Sequence, residues 1–262
     1  RNVRRQLAEA RASGKLGQHQ AAIEMAAAAV RSAEESGWRP VEGIARLAHG
    51  TALEADGKLD EAATELRSAF LIATESGDEV TAVAAGGMLA FVTGYGQRDA
   101  SRGELWRDIS GAVLRQGGLE DELVGASWRQ SIAATYYAAG EYQQMRELYE
   151  AAEATRSRLL GPEHPETLGS RASIATALVQ LGDFQGARDI LEPTVEALAQ
   201  TLGPEHPSLS NQLGTLARVC QRLGDDEAAR SQTKRALEIA QSAFGPDHVA
   251  TARAMVNHAN TL

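Results

Sequence analysis

The chain has 262 residues, a formal net charge of −9, and a composition that is 43% hydrophobic but only 5% aromatic. That charge argues against a general nucleic-acid binder, which needs a basic surface. No apolar run reaches the roughly 18–20 residues of a membrane span, and no signal-peptide pattern opens the chain. The single cysteine, Cys220, excludes an intrachain disulfide and fits a reducing, cytoplasmic setting. Abundant alanine favours close helix–helix contacts over a β-sandwich. The sequence starts Arg-Asn-Val and stops inside a helix-like "HANTL", so both ends read as cuts in a longer protein.

In chain order, helical hairpins are expected at 1–36, 38–76, 77–117, 118–160, 161–202 and 203–244, with a capping helix over 249–262. The first two turn on Gly17 in "KLGQHQAA" and Gly57 in "ADGKLDEA", each followed five residues later by alanine, Ala22 and Ala62. The third is irregular: Gly94 to Gly140 spans 46 residues, and "TGYGQRDASRG" lengthens its turn. The remaining turns, Gly140, Gly182 and Gly224, recur every 42 residues. Around them Met145, Ala187 and Ala229 share one offset, and Ala152, Thr194 and Ala236 another. Before them Ile132, Ile174 and Leu216 share a third offset, and Ala133, Ala175 and Ala217 a fourth. Ile174, Leu178 and Leu181 then fall on one helix face. Glycine at the turn allows the positive φ that ends one helix and starts its partner. The predicted fold class is all-α.

"LGPEHP" at 160–165 returns letter for letter at 202–207, and "FGPDHV" at 244–249 is a looser copy, again on a 42-residue period. Glycine stops the long helix and proline prevents its continuation. Pro165 and Pro207 lie where the next helix begins, where a missing N–H costs least. The histidine is the ambiguous member. Equivalent positions one helix spacing apart lie on the order of 10 Å from one another. Zinc holds imidazole at about 2.0–2.1 Å, so His164, His206 and His248 cannot share a metal. A structural role is the expectation.

These offsets resemble the tetratricopeptide repeat, a helix–turn–helix unit of about 34 residues stacked into a right-handed superhelix. The longer second helix and the "LGPEHP" link resemble the repeats of kinesin light chain. Met88–Gly118, followed by three long units, resembles the C-terminal repeat region of large bacterial serine/threonine kinases of the myxobacterial type; arrays after bacterial transcription regulators are a second possible parent. The tetratricopeptide resemblance implies that the first helix of each hairpin lines a groove. Carried over by offset from the turn glycine, the groove positions are Gln130, Ala134, Tyr137 and Ala138; Ala172, Thr176, Val179 and Gln180; and Gly214, Arg218, Gln221 and Arg222. Arg4, Arg11 and Lys15 take corresponding places in the first unit. The asparagine with which kinesin light chain grips a peptide backbone is Ser131, Ser173 and Thr215 here, and only Asn257 matches it.

Other signals read as structure. "GGMLAFVTGYG" lacks the Gly-Lys-Ser/Thr ending and preceding strand of a phosphate loop. "DFQG" at 183–186 sits in a turn already explained, without the companion kinase motifs. Cys220 reads as a packed apolar residue. Trp106 and Trp128 fall inside amphipathic helices, as packing and not as a ligand cage with Trp38. The six histidines have no metal-helix pairing, and no catalytic constellation, metal site or cofactor is expected. The function read from the sequence is therefore a non-catalytic module. Its groove would hold a protein or peptide segment, an acidic or carboxylate-terminated one in preference to a basic one. It would serve as the regulatory or scaffolding part of a larger signalling protein, with neither nucleic acid nor membrane as partner. A sensory domain for a small ligand or signalling peptide is the alternative, and a hydrolase or transferase on a helical scaffold is a third.

Overall fold

A computed structural model describes the chain apart from Arg1, Asp247, Leu262 and the side chain of Lys15. It divides into two compact units, Arg1–Glu141 and Tyr142–Leu262. The first holds α1 (Asn2–Lys15), α2 (His19–Ser36), α3 (Arg39–Ala55), α4 (Leu59–Glu75) and α5 (Glu79–Phe91). A π-helical turn (Val92–Gly96), α6 (Ala100–Gln116) and α7 (Leu123–Ala139) complete it. The second holds α8 (Tyr142–Leu160), α9 (Pro165–Leu181), α10 (Phe184–Leu202), α11 (Ser208–Arg222), α12 (Asp226–Phe244) and α13 (Val249–Ala259). Among the described residues there is no strand, and no helix is long and apolar enough to cross a membrane. The helices expected at 118–160 fall on either side of the boundary at Glu141; those of every other expected hairpin share a unit.

Within each unit, helices pack on their sequence neighbours, and alternate helices also touch: α1 with α3, α3 with α5, α5 with α7, and in the second unit α9 with α11 and α11 with α13. Small residues make this possible. Met145, Ala187 and Ala229 are buried, as are Ala152, Thr194, Ala236, Ile132, Ile174 and Leu216. The repeat offsets thus mark the surfaces where two helices meet. Leu181, expected on the face of Ile174 and Leu178, is instead 41% exposed, at the last position of its helix. In the first unit Arg46 joins three helices, pairing with Glu34 of α2, Glu42 of α3 and Glu65 of α4. The long second helices α8, α10 and α12 have 19 residues each, as the 42-residue period predicts.

The turn chemistry is local. Gly182 and Gly224 have φ of 83° and 80°, and the next residue is an aspartate. Asp183 accepts a hydrogen bond from the Gly186 N–H at 2.9 Å, and Asp225 one from the Ala228 N–H at 3.1 Å. One residue closes the outgoing helix and its neighbour caps the incoming one, so "DFQG" is a capped helix start. At the links before α9 and α13 the histidine has the same task, and before α11 it stands one residue ahead of the N-cap, Pro207. The His164 Nδ1 accepts from the Glu166 N–H at 3.2 Å, His206 from Ser208 at 3.3 Å, and His248 from Ala250 at 3.1 Å. Thr167 and Thr251 donate hydroxyl hydrogen bonds to the Gly161 and Gly245 carbonyls at 2.9 and 2.7 Å, tying the link to the helix it starts.

The glycine-rich segment packs helices. A Cβ on Gly103 would sit 2.6 Å from the Gly94 Cα, so the backbones touch where "TGYG" meets α6. Trp106 meets Phe70 edge-on at 5.3 Å, and the Trp128 indole donates to the Ser110 hydroxyl at 2.8 Å. Both tryptophans are packing, while Trp38 is exposed on its own. Cys220 is buried, and burial pushes its thiol pKa up, away from nucleophilic character.

Candidate functional site

In the second unit α11 and α13 pack side by side and leave a cavity of about 430 Å³. Asn211, Gly214, Arg218 and Gln221 recur along α11 at helical spacing and form its near wall. Arg253, Asn257 and the following Asn260 form the facing wall. Gly214 keeps the space open, since a Cβ there would approach the Asn257 amide nitrogen at 3.3 Å. The walls are held across the gap. Gln221 donates to the Asn260 carbonyl at 3.1 Å, and Arg253 donates to the Asn211 side-chain oxygen at 3.1 Å. Arg218 is exposed and forms no ion pair among the described residues. No carboxylate is among the described lining residues. Amides that both donate and accept, beside two guanidinium groups, can bind an extended main chain and a carboxylate together.

The first unit has a larger cavity, about 900 Å³, bounded by the π-helical turn, the start of α6 and the end of α7. Tyr95, Arg98, Glu104, Arg107, Tyr136 and Tyr137 line it. Tyr95 stacks on Phe91 at 5.3 Å and meets Tyr137 edge-on at 5.9 Å. Arg107 lies over the Tyr136 ring at 5.8 Å, with its Nε on Asp108 at 2.9 Å. Burial opposes the charge of Arg107, but the Asp108 hydrogen bond and the nearby Tyr136 and Glu104 outweigh it and raise its pKa. A third, more open cavity of about 590 Å³ lies between the second helices α10 and α12, against Val195, Glu196, Gln232 and Arg235.

Of the groove residues carried over by offset, Gly214, Arg218 and Gln221 line the polar cavity of the second unit, and Tyr137 and Ala138 line the tyrosine-bearing one of the first. Gln130, Thr176 and Gln180 line none of the three cavities, and the Thr176 hydroxyl donates to its own helix at the Ala172 carbonyl. Arg222 is engaged as a cation–π partner, 4.5 Å over the Phe184 ring. Asp225, the acid that could have neutralised it, pairs with Arg188 at 3.2 Å. Arg11 is exposed on α1, and the side chain of Lys15 lies outside the described residues. Asn211, Arg253 and Asn260 were not anticipated. Their signal was present, since Arg253 stands one 42-residue period after Asn211, and Asn260 one period after Arg218.

A sequence profile described as tetratricopeptide repeat matches residues 123–200, 170–242 and 216–262, and the chain belongs to that family. The fold is a non-catalytic scaffold for protein–protein interaction. No curated protein matches the sequence. Among solved structures, BtubC (BKLC) from P. vanneervenii is similar at a TM-score of 0.66 and 17% identity, over 95% of this chain and 94% of that one. A Rap protein complexed with competence and sporulation factor is similar at 0.67 and 11% identity, over 96% and 72%. NprR in complex with its cognate peptide NprX is similar at 0.59 and 13% identity, over 99% and 78%. These likenesses are of fold alone.

Proposed function

We propose that the chain is a peptide-binding interaction module whose second unit takes an extended segment between α11 and α13, preferring one with acidic residues or a free C-terminal carboxylate. The observation that carries this reading is the lining itself: Arg218 and Arg253 stand among four amide side chains, with no described carboxylate to neutralise them. Guanidinium recognises carboxylate through paired hydrogen bonds, and flanking amides satisfy a main chain that would otherwise lose its water partners. NprR, a relative in fold, was solved with a peptide, NprX, which suits a peptide ligand for this scaffold. The resemblance over Met88–Gly118 supports placing the module in the regulatory region of a larger signalling protein such as a serine/threonine kinase.

The test is fluorescence anisotropy with labelled peptides of equal length. Acidic and free-carboxylate peptides should bind at least about tenfold more tightly than a basic one, equivalent to about 1.4 kcal/mol. Arg218→Glu together with Arg253→Glu should abolish that preference. Capture of only basic peptides by the unaltered chain would overturn the reading.

A further inference from the structure

We propose that the first unit carries a second binding site, at the cavity beside the π-helical turn, for a short zwitterionic peptide with an aromatic side chain. Three independent features meet there. The backbone is unusual: the Gln97 N–H reaches back five residues to the Val92 carbonyl at 2.8 Å, widening the last turn after α5. Arg98, one residue on, has φ of 58°, the one non-glycine positive value among the described residues. Such conformations are costly, and they cluster where a fold positions a ligand. The second feature is aromatic. Tyr95 and Tyr137 are 43% and 37% exposed although they contact each other, so this tyrosine pair remains open at the cavity wall.

The third feature is charge of both signs. Arg98 is exposed with no ion pair among the described residues, and Arg107, paired with Asp108, also lines the cavity. Glu104 and Glu141, both exposed, supply the opposite sign. A lining with both signs and a π surface suits a ligand with one carboxylate, one ammonium and an aromatic body. Arg98 takes the carboxylate, the glutamates take the ammonium, and the tyrosine pair takes the ring. The volume, near 900 Å³, is at the upper end of small-ligand sites and accommodates about three or four residues. This site shares no lining residue with the α11–α13 cavity, and the two proposals stand or fall separately.

Isothermal titration of the full chain carrying Arg218→Glu and Arg253→Glu, which silence the α11–α13 cavity, with Phe-Ala-Phe, its N-acetylated and C-amidated form, and Gly-Ala-Gly tests the site. Free Phe-Ala-Phe should bind, and both the blocked form and Gly-Ala-Gly should bind at least about tenfold more weakly. Arg98→Gly removes the guanidinium while suiting the positive φ, so it should fold and still weaken binding about fivefold or more. Tyr95→Ala, at an exposed position, should do the same, and circular dichroism should show unchanged helix content in both. Equal affinity for free and blocked peptides, or no binding of Phe-Ala-Phe by this chain, would overturn the proposal.

Discussion

His164 and His248 use a ring nitrogen where helix starts more often use a serine or aspartate oxygen. The sequence placed these residues at the right boundary but left the ring ambiguous, because an N-cap depends on which way the imidazole turns. His164→Ala should lower stability by about 0.5–2 kcal/mol, whereas His164→Asn keeps an acceptor and should lose little. Urea denaturation of both variants checks this, and equal losses would show that the ring contributes by packing. Glu54 makes a second prediction at this scale. Burial in α3 raises its carboxyl pKa, so the ionised form costs stability above the folded pKa, and that cost vanishes once pH falls below the ordinary carboxylate value. Glu54→Gln should therefore melt higher at neutral pH, with the gain shrinking to nothing near about pH 4. A gain that persists unchanged at low pH would contradict the cause.

Helices are the best-read level, because turn glycines and small residues at fixed offsets are a direct image of two helices in contact. The π-helical turn was less legible. The spacing from Gly94 to Gly140 announced extra residues but not that a widened turn and a capped α6 start would absorb them. The Gly94–Gly103 approach makes a testable point of that junction: Gly103→Ala should destabilise by about 1–3 kcal/mol through forced separation of the backbones. Pro193 works the other way. It is exposed inside α10 and removes one helical hydrogen bond, so Pro193→Ala should stabilise by roughly 1–3 kcal/mol. Thermal denaturation of the two variants should shift in opposite directions. Removing α13 should also be costly, since Thr233 bonds His258 at 2.9 Å and Gln221 bonds the Asn260 carbonyl. A chain ending at Phe244 that melts with unchanged midpoint and steepness would show the helix to be dispensable. Leu223, 38% exposed already, has little part in that loss.

At the scale of the molecule, the 42-residue register that runs on from Gly140 crosses the boundary between the two units, so the repeat spacing does not mark it. Net charge was equally uninformative about binding. The chain carries −9, yet the cavity between α11 and α13 has two arginines and no described acid, a local inversion that only folding assembles. Offsets from the turn glycine point to Gly214, Arg218 and Gln221 in its lining. They missed Arg253 and Asn260, because the last helix has no following turn glycine from which to count. The most direct test of the peptide-binding account is hydrogen–deuterium exchange of the full chain with and without a bound acidic, free-carboxylate peptide. The account predicts slowed exchange along Asn211–Gln221 and Arg253–Asn260. Protection confined to α10 and α12, around Val195 and Gln232, would contradict it.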